Sequence, residues 1–109
     1  MRRFLAGGTA GRNRTGAPIG LLPAINVSMK LAPLDRDTQV DVATAGVTVK
    51  LPSLAASLGR RITLARTVAG AAQTIDGDGA LIGGAATITL NTIGDSETLL
   101  AGLTEWRRT

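Results

Sequence analysis

The chain lacks cysteine, histidine and tyrosine altogether, and its aromatics are one phenylalanine, Phe4, and one tryptophan, Trp106. Without cysteine there is no disulfide stapling and no thiolate nucleophile or ligand, and without histidine there is no imidazole metal site and no His-based triad. Large aromatics each bury roughly 150–250 Å², so a core of alanine, valine, leucine and isoleucine must find burial elsewhere. Oligomerisation is the natural way for a 109-residue domain to do so. Long apolar runs are missing too. Ile19 to Ile25 is interrupted by Pro23 and falls far short of the ~20 residues that span a bilayer. The opening FLAGGTAGRNRTG is broken by Arg12 and Arg14 and does not read as an export signal, so the expectation is a soluble chain made in the cytoplasm.

Acid is absent from the first third. Residues 1–33 hold Arg2, Arg3, Arg12, Arg14 and Lys30 and no Asp or Glu, while the remainder carries seven basic and eight acidic side chains. The net charge of +4 therefore belongs to an arm and not to a domain. Residues 6–18 are rich in Gly, Thr and Ala, and Pro18, Pro23 and Pro33 punctuate the stretch up to residue 33, so the whole reads as an extended segment without a core of its own. Five charges without interleaved aromatics are poor material for nucleic-acid binding. A solvated tail has little use for apolar residues between prolines. The preferred reading is a docking arm over 1–33, with Arg2, Arg3, Phe4, Arg12 and Arg14 meeting an acidic protein surface and Ile19, Leu21, Leu22 and Ile25 as apolar anchors.

From residue 34 onward the sequence alternates with period two. Val40 and Val42, then Val47, Val49 and Leu51 against Thr48 and Lys50, then Ile62 and Leu64 against Arg61 and Thr63, each predict a strand with one buried face. Further strands are predicted near 72–75, 86–91, 97–101 and 104–108. Ala43 to Gly46 reads as a hairpin connection, Pro52 as a strand stop, and Ser53 to Leu58 as one helical turn or a loop ended by Gly59. About seven short strands indicate an all-β fold, a small sandwich or barrel over 34–109. Val47, Val49, Leu51, Ile62, Leu64, Ile88, Leu90, Leu99, Leu100 and Trp106 are its expected core or subunit interface.

Few groups are available for chemistry. Asp35 with Asp37, and Asp76 with Asp78, are carboxylate pairs of the kind glycoside hydrolysis requires, but sugar-cleaving grooves also need aromatic platforms. Asp in an Asp-Gly turn is explained by its tolerance of turn conformations. A calcium loop starting at Asp76 needs a bidentate Glu at its twelfth position, which is Thr87. No phosphate-cradling loop is present, because the glycine-rich stretches lack the Lys-Ser/Thr ending. Arg60, Arg61 and Arg66, and Arg107 with Arg108, read as solvated basic clusters. No cofactor and no metal is expected.

The ordered set TQVDVATAGVTVKLP, GRRITL, TIDG, GAATITL, DSETLL and Trp106 resembles a small trimeric β-domain found in tailed-phage fibres, head fibres and capsid decorations. The resemblance spans about 34–107, and departs from the family where Arg107 and Arg108 replace an aromatic and aliphatic pair after the Trp. It implies a homotrimer, where composition alone allows a dimer equally. It also implies a non-enzymatic virion protein located on the capsid surface, with no nucleic-acid or membrane partner. An arm and one small domain without shaft repeats favour a capsid decoration, or cement, protein docked on the major capsid protein or another virion protein. The alternatives are a short tail or head fibre presenting a receptor-binding tip, with a host surface glycan as partner, and, from a different class, a polysaccharide depolymerase subunit.

Overall fold

The computed structural model describes residues 20–109, and all but one turn of its regular structure is β. The strands are β1 (Gly20–Leu21), β2 (Met29–Lys30), β3 (Thr38–Val42), β4 (Thr48–Lys50), β5 (Arg61–Arg66), β6 (Gln73–Asp76), β7 (Leu81–Ile82), β8 (Thr87–Leu90), β9 (Ser96–Ala101) and β10 (Glu105–Arg108). A six-stranded sheet has the order β1-β3-β5-β9-β10-β7, and a four-stranded sheet the order β2-β4-β6-β8. Up to β6 the chain visits the two sheets alternately, and each strand pairs in parallel with the one two places earlier. This is solenoid-like coiling. The last four strands close it: β9 and β8 run antiparallel to β5 and β6, and β10 returns antiparallel beside β9.

Parallel register stacks like upon like. Met29, Val49, Ile75 and Ile88 form one inward ladder across the smaller sheet, and Thr38, Ile62 and Leu99 another across the larger one. Between these rows the side chains point outward, as in the Thr48–Thr74–Thr89 ladder. One continuous apolar core draws on both sheets, from Ile25 and Leu31 through Val40, Leu51, Leu64 and Leu90 to Trp106. Trp106 lies opposite Ala101 on one side and Ile82 on the other and is fully buried. It therefore seals the β7–β10 end of the stack.

The all-β class agrees with the sequence, but the connectivity departs from it. The seven expected strands are present with shifts of one or two residues at most of their ends, whereas β1, β2 and β7, of two residues each, have too little pattern to be read. Ala43 to Gly46 is not a hairpin connection: β3 and β4 lie in different sheets, and the segment is a corner that carries the chain across the core. The single 3-10 turn is Ala55–Ser57, and Gly59 after it has φ +81°, the left-handed stop expected there. Of the paired Asp-Gly steps, Asp78 and Gly79 take positive φ, but Gly77 does not; a Cβ on Gly77 would lie 1.9 Å from the carbonyl oxygen of Ala80. Gly77 permits a close approach of backbone, not a left-handed turn.

The arm expected over 1–33 meets the described structure only from Gly20. There the chain pairs with the sheets through β1 and β2, and Leu31 is buried. Ile25 bridges to Val42 and is 2 % exposed, so it is a core residue and not a free docking anchor: its side chain is already committed to the chain's own interior. Arg2, Arg3, Phe4, Arg12, Arg14 and Ile19 lie outside the described residues.

Candidate interaction surface

Nine of the ten expected core or interface residues, Val47, Val49, Leu51, Ile62, Leu64, Ile88, Leu90, Leu99 and Trp106, are buried inside a single chain. Leu100 is the other. It sits on the outward row of β9, between Arg61 and Arg107 in register, and is half-buried. Of the eight exposed large apolar side chains among the described residues, four lie at the β1–β2 end, and Leu58, Leu81, Ile93 and Leu103 lie elsewhere. Leu21 is 77 % exposed, Val27 63 % and Met29 41 %, with Leu22 beside them. No described strand pairs with the outer edge of β1 or β2. Unpaired N–H and C=O groups next to exposed apolar side chains make a ready template for another segment.

A charge clamp borders this end. Asp78, in the turn after β6, accepts a hydrogen bond from Lys30 Nζ of β2 and lies 4.0 Å from Lys50 Nζ of β4. The Lys30 hydrogen bond, with the charges of Lys30 and Lys50, holds the Asp78 carboxyl below its usual range. Asp76, its partner in the expected carboxylate pair, accepts the backbone N–H of Asp78 at 2.8 Å, an Asx turn that orders the loop. Asp37 accepts Arg61 N–H at 3.0 Å and faces the Arg61 guanidinium at 3.8 Å, while Asp35 is open to solvent beside Arg36. Asp37, Asp76 and Asp78 are thus tied into turns and strand ends, and Asp35 is not. No group of three or more potential metal-ligating side chains occurs among the described residues.

The basic clusters divide. Arg61 is exposed at the start of β5, and Arg108 pairs with Glu97 at 2.6 Å. Arg66 does not belong to a solvated cluster. It is 2 % exposed and directs its guanidinium inward, where Nε donates to the Val68 carbonyl at 2.7 Å, Nη1 to Leu90 at 2.8 Å and Nη2 to Gly70 at 2.6 Å. Because Leu90 is on β8 and Arg66 on β5, this one side chain ties the two sheets together. Its parity with Ile62 and Leu64 was the available signal, and its charge obscured it. The Lys30–Asp78 clamp had no local signal, since its partners are 48 positions apart.

No helix among the described residues is long and apolar enough to cross a membrane. No protein-family model matches the chain, and no curated protein matches it in sequence.

Proposed function

We propose that the chain is a non-enzymatic structural protein of a tailed-phage virion, a homotrimer that decorates the capsid and docks on it through its basic N-terminal segment. The observation that carries the reading is the β1–β2 end: sheet edges that no described strand pairs, and exposed Leu21, Leu22, Val27 and Met29, stand immediately after a segment of high positive charge. Such an end favours a protein partner, and an arm without acid favours an acidic one. The ordered strand motifs from Thr38 to Trp106 support the phage assignment and the three-fold. The Asp pairs support a non-catalytic role, because turn and strand-end bonds already use Asp37, Asp76 and Asp78.

Decoration acts by mass action: a subunit that binds the assembled lattice and not loose capsid protein stabilises the shell by its free energy of binding. The copy number in purified virions, measured by quantitative mass spectrometry against the major capsid protein, tests this. Stoichiometry comparable to the capsid subunit is expected, and a few trimers per particle would overturn lattice-wide decoration. That second result would favour a short fibre with a receptor-binding tip, a reading supported by the coiling itself, because stacked parallel coils extend along an axis as a shaft does.

A further inference from the structure

The end of β6 and the turn after it hold the sequence's only two Asp-Gly steps, Asp76-Gly77 and Asp78-Gly79, which share one chemistry and differ in restraint. In such a step the glycine nitrogen can attack the side-chain carbonyl carbon of the aspartate, because no side chain shields it. A new C–N bond closes a five-membered succinimide, and the carboxyl hydroxyl leaves as water with the proton from the nitrogen. Water then opens the ring. Entry at the side-chain carbonyl restores aspartate, and entry at the main-chain carbonyl leaves isoaspartate, in which the backbone runs through the side-chain carbon. The neutral acid is the reacting form, since an ionised carboxylate is a poor electrophile. Asp76-Gly77 is held against this reaction. Asp76 is in register with Lys50 on one side and Thr87 on the other, and its Oδ1 accepts the Asp78 N–H. Gly77 is buried, and its N–H donates to the Ala86 carbonyl at 3.2 Å. A nitrogen bonded across the sheet does not swing onto its neighbour's side chain.

We propose that Asp78-Gly79 is the chain's site of spontaneous isomerisation to isoaspartate, and that Lys30 restrains the reaction. Both residues lie outside the strands and are exposed, with φ of +52° and +99°. The Gly79 N–H makes no hydrogen bond among the described residues, and nothing lies within 4 Å of the place a Cβ on Gly79 would take. Its nitrogen is therefore free to move. Restraint comes from the lysines of two neighbouring strands. Lys30 Nζ of β2 donates to Asp78 Oδ2, and Lys50 Nζ of β4 lies 4.0 Å from Oδ1, so both oxygens are drawn toward the sheet and the carboxylate is kept ionised. Asp76, the nearest carboxylate in sequence, is occupied by the Asp78 N–H. Isomerisation lengthens the main chain by one carbon and re-aims the carboxylate, so the product loses its hold on β2. The inference concerns the chemistry of this turn and stands whether or not the particle assignment does.

The test is incubation of the full-length protein at mildly acidic pH in heavy-oxygen water, then digestion in ordinary water and fragmentation mass spectrometry. Each ring opening marks the residue that reacted. Asp76 reacts only when the β6–β8 pairing opens, so label and isoaspartate should appear at Asp78 about tenfold faster or more. In concentrated urea, where the fold is gone, that ratio should fall toward one. Lys30→Gln, a change at a half-exposed side chain, should quicken the reaction at Asp78 severalfold and leave Asp76 as it was. Equal rates at the two residues in the folded protein, or no reaction at Asp78, would overturn the site. A ratio unchanged by urea would sink it too, since sequence and not structure would then set the preference. An unchanged rate at Asp78 in Lys30→Gln, or equal acceleration at both residues, would remove the restraining role of Lys30.

Discussion

Arg66 is a buried cation whose guanidinium meets three backbone carbonyls and no carboxylate. Its flat fork reaches three acceptors at once, which a lysine ammonium on a flexible stem does not reproduce. Arg66→Met leaves the carbonyls of Val68, Gly70 and Leu90 without their donor, at about 1–3 kcal/mol for each that stays dry. The expected result is a large drop in urea midpoint, with Arg66→Lys recovering only part of it. In the same core Leu64→Ala should cost about 2–5 kcal/mol by chemical denaturation, the range for a buried leucine that leaves a cavity. Gly77→Ala should be strongly destabilising in the same assay although the turn is at the surface, because the added Cβ meets a backbone carbonyl that has no room to retreat. These three residues show how side-chain type misleads locally. The alternation Ile62-x-Leu64-x-Arg66 places the arginine inside, while composition alone places it in water.

At the scale of elements, the terminal strand β2 is only two residues long and hangs on two kinds of bond. Leu31 N–H donates to the Lys50 carbonyl, and Asp78 clamps Lys30 across the sheet. Because the Asp78 carboxyl is held below its unfolded value, its contribution is present at neutral pH and is lost as pH falls through its depressed folded value. The protection factor of the Leu31 amide, its exchange rate compared with that of an unfolded chain at the same pH, should therefore fall selectively when the solution is taken below the ordinary aspartate range. Asp78→Asn should abolish that pH dependence, and salt should weaken the clamp, since its partners are partly exposed. Most strands were legible from period-two alternation, but their pairing was not. Parallel and antiparallel strands share that period, so Val40 to Leu51 satisfies a hairpin and a two-sheet corner equally. Only the register of Thr38 against Ile62 and Val49 against Ile75 separates the two.

At the scale of the whole molecule, residues 20–109 form a short two-sheet coil around one apolar core. If the proposed homotrimer is correct, light scattering on the purified full-length protein should return three chain masses, and removal of residues 1–18 should leave that mass unchanged while abolishing incorporation into particles. Loss of trimerisation on the same deletion would instead place the subunit contacts at the β1–β2 end. The sequence by itself determined that the chain is all-β, that its core is aliphatic with a single tryptophan, and that positive charge is concentrated ahead of the strands. These follow from composition and from a two-residue period, both of which are local. The tertiary structure alone decided that the strands coil in parallel, that Ile25 and Arg66 lie inside, and that Lys30 and Asp78 meet. Each of these depends on partners dozens of residues apart, and the free energy that fixes such partners is burial summed over both sheets, which no single window of sequence contains.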